Sequence, residues 1–151
     1  MIVLEPMQTQ HLRQVCALHH AALPERWSLH AYAEELKVFG SYGLVAVKDG
    51  QVVGFVSTRI LFGECSINNL VVAPQMRRQG IGTLLIDALK REVLRRGGHS
   101  ITLEVRGSNH TAQYFYWCQG FGQAGLRRGF YQNPREDALL LSCYIEGDQT
   151  E

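Results

Sequence analysis

One stretch of this sequence sets glycines and arginines at a spacing that suits an anion. It runs Val71-Val-Ala-Pro-Gln-Met-Arg-Arg-Gln-Gly-Ile-Gly-Thr83, and its pattern predicts a strand, a turn and the start of a helix. Gly80 and Gly82 leave backbone N–H groups uncovered where the helix begins. Unpaired donors and the helix dipole both favour negative charge there. Arg77 and Arg78 lie beside that point. Between Arg77 and Arg96 there are six basic residues and two acidic ones, in a chain whose formal net charge is +1. The Gly-Lys-Ser/Thr of a nucleoside-triphosphate loop is absent, and a dinucleotide fingerprint would need glycine where Leu85 stands. Arg77-x-x-Gly80-x-Gly82 fits a third ligand, the pyrophosphate of coenzyme A. The alternative is an ordinary helix start with basic residues on a solvated face.

A second group of residues follows at Leu103-Glu-Val-Arg-Gly-Ser-Asn-His-Thr-Ala-Gln-Tyr-Phe-Tyr-Trp-Cys-Gln-Gly-Phe121. Glu104 lies in a strand run, where a carboxylate points to solvent or into a cleft. Asn109 precedes a helix, and its simplest role is a cap. Tyr116 lies among Tyr114, Phe115 and Trp117, so a core role competes with a catalytic one. Cys118, two residues on, faces another side of that helix. His19, His20 and His110 read as surface or interface residues, and nothing near them has metal-ligand spacing.

These residues need a scaffold, and the chain supplies signals for one. Ile2–Leu4 is a strand candidate closed by Pro6. Thr9 is placed to cap a helix with Leu12, Val15, Leu18 or His19, and Ala22 at helical spacing, ended by Pro24. Ser28 caps a second helix, with Leu29, Tyr32, Leu36 and Phe39 as its apolar stripe and Gly40 as its stop. Two β-rich runs, 42–48 and 51–57, meet at Asp49-Gly50, a strong hairpin signal. A strand over 65–72 precedes the glycine turn, and the helix after it ends at Gly97-Gly98. A strand over 100–105, a helix opened by Asn109 or Thr111, and two strands near 121–126 and 138–145 complete the chain. The expected order is β-α-α-β-β-β-α-β-α-β-β, a mixed α/β (α+β) fold. Its central sheet is mostly antiparallel, with helices on both faces.

Composition bounds the rest. A chain of 151 residues with 46% hydrophobic and 19% charged residues is expected to fold as one domain, 1–151, without disulfide or metal staples. The near-neutral charge argues against a polybasic protein held to nucleic acid. No apolar run approaches a membrane span, and no secretory signal is visible at Met1-Ile-Val-Leu-Glu-Pro6. Cys16, Cys65, Cys118 and Cys143 lie tens of residues apart and read as free thiols of a reducing cytosol. A cytoplasmic monomer or weak dimer is expected, with no metal, nucleic acid or membrane partner.

Taken together, Arg77-x-x-Gly80-x-Gly82, the Leu-Glu-Val-Arg run and Asn109-x6-Tyr116-x3-Gly120-Phe121 resemble the GNAT superfamily of N-acetyltransferases. Trp27-Ser28, Asn69-Leu-Val-Val72-x-Pro74, Arg127-Arg128-Gly-Phe-Tyr131 and Arg135-Glu-Asp-Ala138 resemble its branch that acetylates the N-terminal alanine of a ribosomal protein. The resemblance spans residues 27–142. It implies the acyl-CoA N-acyltransferase fold and acetyl-CoA as co-substrate. It implies that Leu70, Val71 and Val72 offer strand-edge backbone groups to the pantetheine arm and the thioester carbonyl. Arg77, Arg78, Gln79, Gly80, Ile81, Gly82 and Thr83 would cradle the pyrophosphate, and Asn109 would bond the coenzyme arm. Glu104 would be the general base and Tyr116 the general acid. Trp27 and Tyr131 would hold the acceptor, a protein N-terminus. Arg26, where the family usually has proline, and residues 62–66 depart from the pattern.

The chemistry this implies is direct attack by an amine on a thioester. An α-amino group has a pKa of about 7.7–8.0, so most of it is protonated near neutrality and needs a base. A carboxylate serves if burial raises it or water relays the proton. Backbone N–H groups near 70–72 would meet the oxyanion, and a tyrosine hydroxyl would protonate the leaving thiolate. Three other readings are open: acetylation of a lysine or small-molecule amine, a non-catalytic acyl-CoA-binding module, and a nucleotide-dependent oxidoreductase. The last is weakened by Leu85.

Overall fold

The structure is a computed structural model, and it describes residues 1–146. The end of the expected single domain, residues 147–151, lies outside the described residues. The chain forms two compact units. The first comprises Met1–Leu61 and Ile67–Leu89, and the second comprises Phe62–Ser66 and the chain from Lys90 onward.

The first unit is built on strands β1 (Val3–Pro6), β2 (Ser41–Lys48), β3 (Gln51–Leu61) and the later part of β4 (Glu64–Val72), in that order. β1 and β2, and β2 and β3, pair antiparallel. The β2–β3 turn has Asp49 at φ 51° and Gly50 at φ 77°, the left-handed pair that Asp-Gly predicts. Consecutive β3 residues face opposite sides. A Cβ on Gly54 would lie 3.1 Å from Ile81 and 3.6 Å from Leu85 of helix α3 (Ile81–Arg95). The Phe55 ring meets Tyr32 of α2 (Leu29–Leu36) edge to face at 5.9 Å. Helices therefore cover both faces of β3. Helix α1 (Leu12–Ala22) adds Leu12, Val15 and Cys16 to the core on the Phe55 side.

The second unit contains the first residues of β4, β5 (Ser100–Arg106), β7 (Glu136–Tyr144) and β6 (Gly122–Tyr131), in that order, with α4 (His110–Cys118). Glu64–Ser66 run parallel to Ser100–Thr102, whereas β5–β7 and β6–β7 are antiparallel. The seven strands thus form the mixed, mostly antiparallel arrangement expected. On β5, Ile101, Leu103 and Val105 are buried, and Thr102, Glu104 and Arg106 occupy the half-buried face. This alternation fixes which side of the strand carries its charged groups.

Several local expectations are corrected. Pro6 does not lie beyond the first strand; it is the last residue of β1 and pairs with Leu44, which a strand end tolerates. Thr9 is not a helix cap. A 3₁₀ turn over Thr9–His11 precedes α1, and the Gln8 N–H donates to His11 Nδ1 at 3.0 Å. Phe39 does not continue the α2 stripe. The helix stops at Leu36, Gly40 turns the chain at φ 86°, and Phe39 is exposed. β6 extends to Tyr131, well beyond the expected 126.

His19 is also corrected: it is fully buried, not at the surface. Its Nε2 lies 2.7 Å from the Glu25 carbonyl, so that nitrogen carries the proton. Nδ1 then accepts from the Tyr32 hydroxyl at 2.6 Å. Asn69 Nδ2 donates to Tyr32 Oη at 3.2 Å and completes the chain. Burial lowers the His19 pKa, although its backbone bond to Glu25 opposes the shift. The neutral imidazole is the form that satisfies this network.

All four cysteines are free. Among the described residues no helix is long and apolar enough to cross a membrane, and no cluster of three or more His, Cys, Asp or Glu side chains could hold a metal.

Candidate active site

The glycine turn lies in the first unit. Val71 points into the core, while Leu70 and Val72 are half-buried. The parallel ladder to β5 uses Glu64–Ser66, so residues 70–72 lie past its end. Ala73 N–H donates to the Val53 carbonyl at 2.9 Å and fixes the strand's exit. A 3₁₀ turn over Pro74–Met76 follows. Arg78 at φ 66° and Gly80 at φ 78° are both left-handed. No atom lies within 4 Å of where a Cβ on Gly80 would sit, so the approach to the backbone is open there. Leu84 N–H donates to the Gly80 carbonyl at 3.0 Å, which makes Gly80 the lead-in to α3. Ile81 is buried and anchors the helix, while Arg77, Arg78 and Gln79 are exposed beside its first turn. Open glycine backbone, a helix start and two exposed cations fit a pyrophosphate.

The charge surplus along this segment is less concentrated than the sequence suggests. Lys90, Arg91, Arg95 and Arg96 lie in the second half of α3 or just past it, and a 15-residue helix spans roughly 22 Å. Lys90 Nζ donates to the Gln119 carbonyl at 2.5 Å. Arg95 and Arg96 both pair with Glu92, at 2.6 and 2.7 Å. Only Arg77 and Arg78 remain beside the helix start.

Arg95 first, and Arg96 with it, holds the Glu92 carboxyl down at about 2, against a partial opposition from burial. The folded pKa lies below the unfolded one. The stabilisation is therefore fully present above pH ~4.5 and is lost as pH falls toward 2. Denaturant midpoints of wild type and Glu92→Gln should differ at pH 6 and converge as pH approaches 2.

The proposed acid–base residues lie in the second unit. Glu104, on the polar face of β5 opposite Leu140, receives Arg127 Nε at 3.2 Å from β6. Tyr116 on α4 is buried, with its ring edge to face against Phe115 at 5.0 Å and Phe121 at 5.2 Å. Among the described residues no enclosed polar side-chain atom lacks a partner. Tyr116 as a whole is only 6% exposed. Burial raises its pKa well above the ordinary phenol value. Asn109 Oδ1 caps α4 by accepting from Ala112 N–H at 3.1 Å, which leaves its amide nitrogen to donate elsewhere. Cys118 is exposed, on a different side from Tyr116.

The two expected acceptor residues differ in setting. Trp27, in the first unit, is half-buried, 4.9 Å from the Tyr32 ring and stacked on His19 at 6.3 Å. Tyr131, in the second unit, lies at the end of β6 under the Arg106 guanidinium, 4.5 Å from ring centroid to Cζ.

Sequence reasoning missed the groups that fix these positions. Arg106, Glu136 and Asp137 tie the β6–β7 turn in the second unit. In the first, Arg59 and the half-buried Asn68 hold the buried Glu35 carboxylate. The signal for Arg106 was present: it is two residues from Glu104, hence on the same strand face.

The chain is similar to several known proteins. The model of the acetyltransferase (GNAT) family matches residues 12–121. The [ribosomal protein bS18]-alanine N-acetyltransferase of Escherichia coli (strain K12) is 30% identical over 146 residues, covering 89% of this chain and 99% of its own. An N-alpha-acetyltransferase of Sulfurisphaera tokodaii is 32% identical, covering 86% of this chain and 85% of its own. The crystal structure of the ribosomal-protein-S18-alanine N-acetyltransferase from Escherichia coli superposes with a TM-score of 0.88 at 28% identity. It covers 100% of this chain and 99% of its own.

Proposed function

This chain belongs to the acetyltransferase (GNAT) family, and from that premise we propose that it acetylates a protein N-terminal α-amino group with acetyl-CoA. The acceptor we propose is the N-terminal alanine of a small-subunit ribosomal protein. One observation carries the reading. An open glycine–arginine helix start, a strand carboxylate and a buried tyrosine occur in one chain, all within the matched residues 12–121. The two relatives that act on N-termini, by their names, support the acceptor class. The match runs through both compact units, which supports a single functional domain.

Acetyl-CoA supplies an activated acetyl group as a thioester. Residues Arg77–Thr83 hold its pyrophosphate with backbone N–H groups and two guanidinium ions, and Asn109 donates its free amide hydrogens to the coenzyme arm. Leu70–Val72 present backbone groups to the acyl end, with N–H donors fixed before charge develops. Glu104 takes the proton from the ammonium, directly or through one water, so that the amine becomes nucleophilic. Tyr116 keeps its proton until the thiolate departs and then donates it at the hydroxyl. Trp27 and Tyr131 hold the acceptor. No step uses a metal. We place the enzyme in the cytoplasm as a monomer or weak dimer, where near-neutral charge suits a soluble protein substrate rather than nucleic acid or a membrane.

Mass spectrometry of protein N-termini in cells with and without this gene tests the proposal. Loss of acetyl from a ribosomal N-terminal alanine is the expected result. A change confined to lysine side chains overturns the N-terminal assignment.

A further inference from the structure

We propose that Arg106 is a positioning residue for acceptor recognition, stapling the β6–β7 turn to the end of β5 and fixing the pose of Tyr131. Its guanidinium is largely buried, and its hydrogen-bond donors are aimed at the turn. Nη1 donates to the Pro134 carbonyl at 3.0 Å and to Glu136 Oε1 at 3.2 Å, and Nη2 donates to the Gln132 carbonyl at 2.9 Å. The guanidinium lies over the Tyr131 ring, with Cζ 4.5 Å from its centroid. One side chain thus touches Tyr131, Gln132, Pro134 and Glu136, nearly every position around the turn.

The other end of the staple is equally well defined. Glu136 Oε2 accepts the Ser108 N–H at 2.6 Å, immediately before the α4 cap. Hydrogen bonds from Ser108 and Arg106 hold its carboxyl below the usual range, so the pair is charged at neutral pH. Gly107 N–H donates to the Asp137 carbonyl at 3.0 Å, and Asp137 Oδ1 accepts the Gly129 N–H at 2.8 Å. The consecutive acids Glu136 and Asp137 therefore tie opposite sides of the turn, one to β5 and one to β6.

A staple that served stability alone would have no need of the Tyr131 ring. Arg106 covers one face of that ring, and Phe130 meets it edge to face at 5.0 Å, so its orientation is set from two sides. Arg106 also shares a strand face with Glu104, two residues and about 7 Å away along β5. It thus links the residue proposed to remove the acceptor's proton with the residue proposed to hold the acceptor. Lysine cannot reproduce this arrangement. Its point charge can pair with Glu136 but cannot also serve two carbonyls and cover a ring face.

The inference rests on reading Tyr131 as a group that holds the acceptor. Steady-state kinetics with an N-terminal alanine peptide test it. Arg106→Lys should raise the acceptor KM about tenfold, while kcat at saturating peptide stays within about threefold and the acetyl-CoA KM within about twofold. Tyr131→Ala should raise the same KM, and the double variant should be no more than about twofold worse than the worse single one, because Arg106 acts through Tyr131. Glu136→Gln, which leaves Arg106 in place, should give a smaller rise of the same kind; it serves if Arg106→Lys does not fold. Equal losses for both substrates, or multiplicative effects in the double variant, overturn the proposal. A wild type that acetylates lysine peptides but no α-amine removes the N-terminal reading alone, and the KM split is then read with the lysine peptide. A wild type active on neither overturns both.

Discussion

Changing Tyr116 to phenylalanine is expected to lower kcat at least about tenfold while acetyl-CoA binding stays within about twofold of wild type. The substitution deletes one oxygen and leaves the ring. That ring meets Phe115 and Phe121 edge to face, so packing is retained and the change reports the hydroxyl. General acid catalysis contributes about 10²–10⁴-fold in enzymes where it has been isolated, so tenfold is a lower bound. Glu104→Gln should give a loss of the same order, since it removes the proton acceptor but keeps the side chain's length. Because burial raises the Tyr116 pKa, the residue stays protonated across the physiological range. The wild-type rate should therefore show no alkaline decline from loss of this proton near pH 10. Release of free thiol, followed by a colorimetric trap over a pH series, measures both quantities. Unchanged turnover in both variants would remove the assigned roles.

Arg59→Ala should destabilise the protein by about 2–3 kcal/mol, the largest stability effect we expect from a side chain outside the apolar core. Glu35 on α2 is buried, and Arg59 on β3 grips it with two hydrogen bonds, Nε to Oε2 at 2.7 Å and Nη2 to Oε1 at 2.8 Å. Asn68 on β4 adds a third, at 3.3 Å. Removing Arg59 leaves a buried carboxylate with the longer Asn68 hydrogen bond and no paired charge. Breaking a fully buried pair costs about 3–5 kcal/mol; here Arg59 is 45% exposed, and water screens part of the loss. In a chain of this size that corresponds to a fall in Tm of roughly 4–12 °C. Replacing both partners with apolar residues, Glu35→Met with Arg59→Leu, should recover much of it. Thermal denaturation of the three variants decides the matter, and a single variant as stable as wild type would show that Glu35 is already hydrated.

Local chemistry carried far in this chain. Asp49-Gly50 specified its turn because few residue pairs accept two successive positive φ values. Ser28 specified a helix start because its hydroxyl reaches the Ala31 N–H, at 3.0 Å. Gly97 and Gly98 closed α3 by returning N–H groups to Leu94 and Val93. The conformation of the glycine–arginine turn was legible for the same reason: Gly80 takes a positive φ and leaves the backbone open. Partners distant in sequence were not legible. His19 read as a surface residue because the Tyr32 hydroxyl that meets its ring lies 13 positions away, and the Asn69 amide that holds Tyr32 lies 37 positions further on. Glu35 drew no reading from the sequence, because its partners Arg59 and Asn68 stand on strands far along the chain. Phe39 looked like core because spacing shows which face a residue would occupy and not where the helix stops. The basic residues of α3 looked like one field until their partners divided them, with Glu92 and Gln119 engaging the far end. The candidate site divides along the same line. The cradle and the order Glu104, Asn109, Tyr116 lay in the sequence, whereas the Arg106 staple required the turn to fold back onto β5.

The short connection between α1 and α2 is held by side chains of the preceding helix. His19 reaches the Glu25 carbonyl, and both His20 and Cys16 reach the Trp27 carbonyl. A connection fastened this way cannot peel off while α1 stays folded, since its anchors include a residue sealed in the core. Arg26 is exposed and is formally a target for a trypsin-like protease. Cleavage requires the flanking chain to open and enter the protease as an extended strand, and here that means extracting His19 as well. The connection therefore belongs to the cooperative folding unit of the core, and its lifetime against proteolysis follows the core's opening rather than its own.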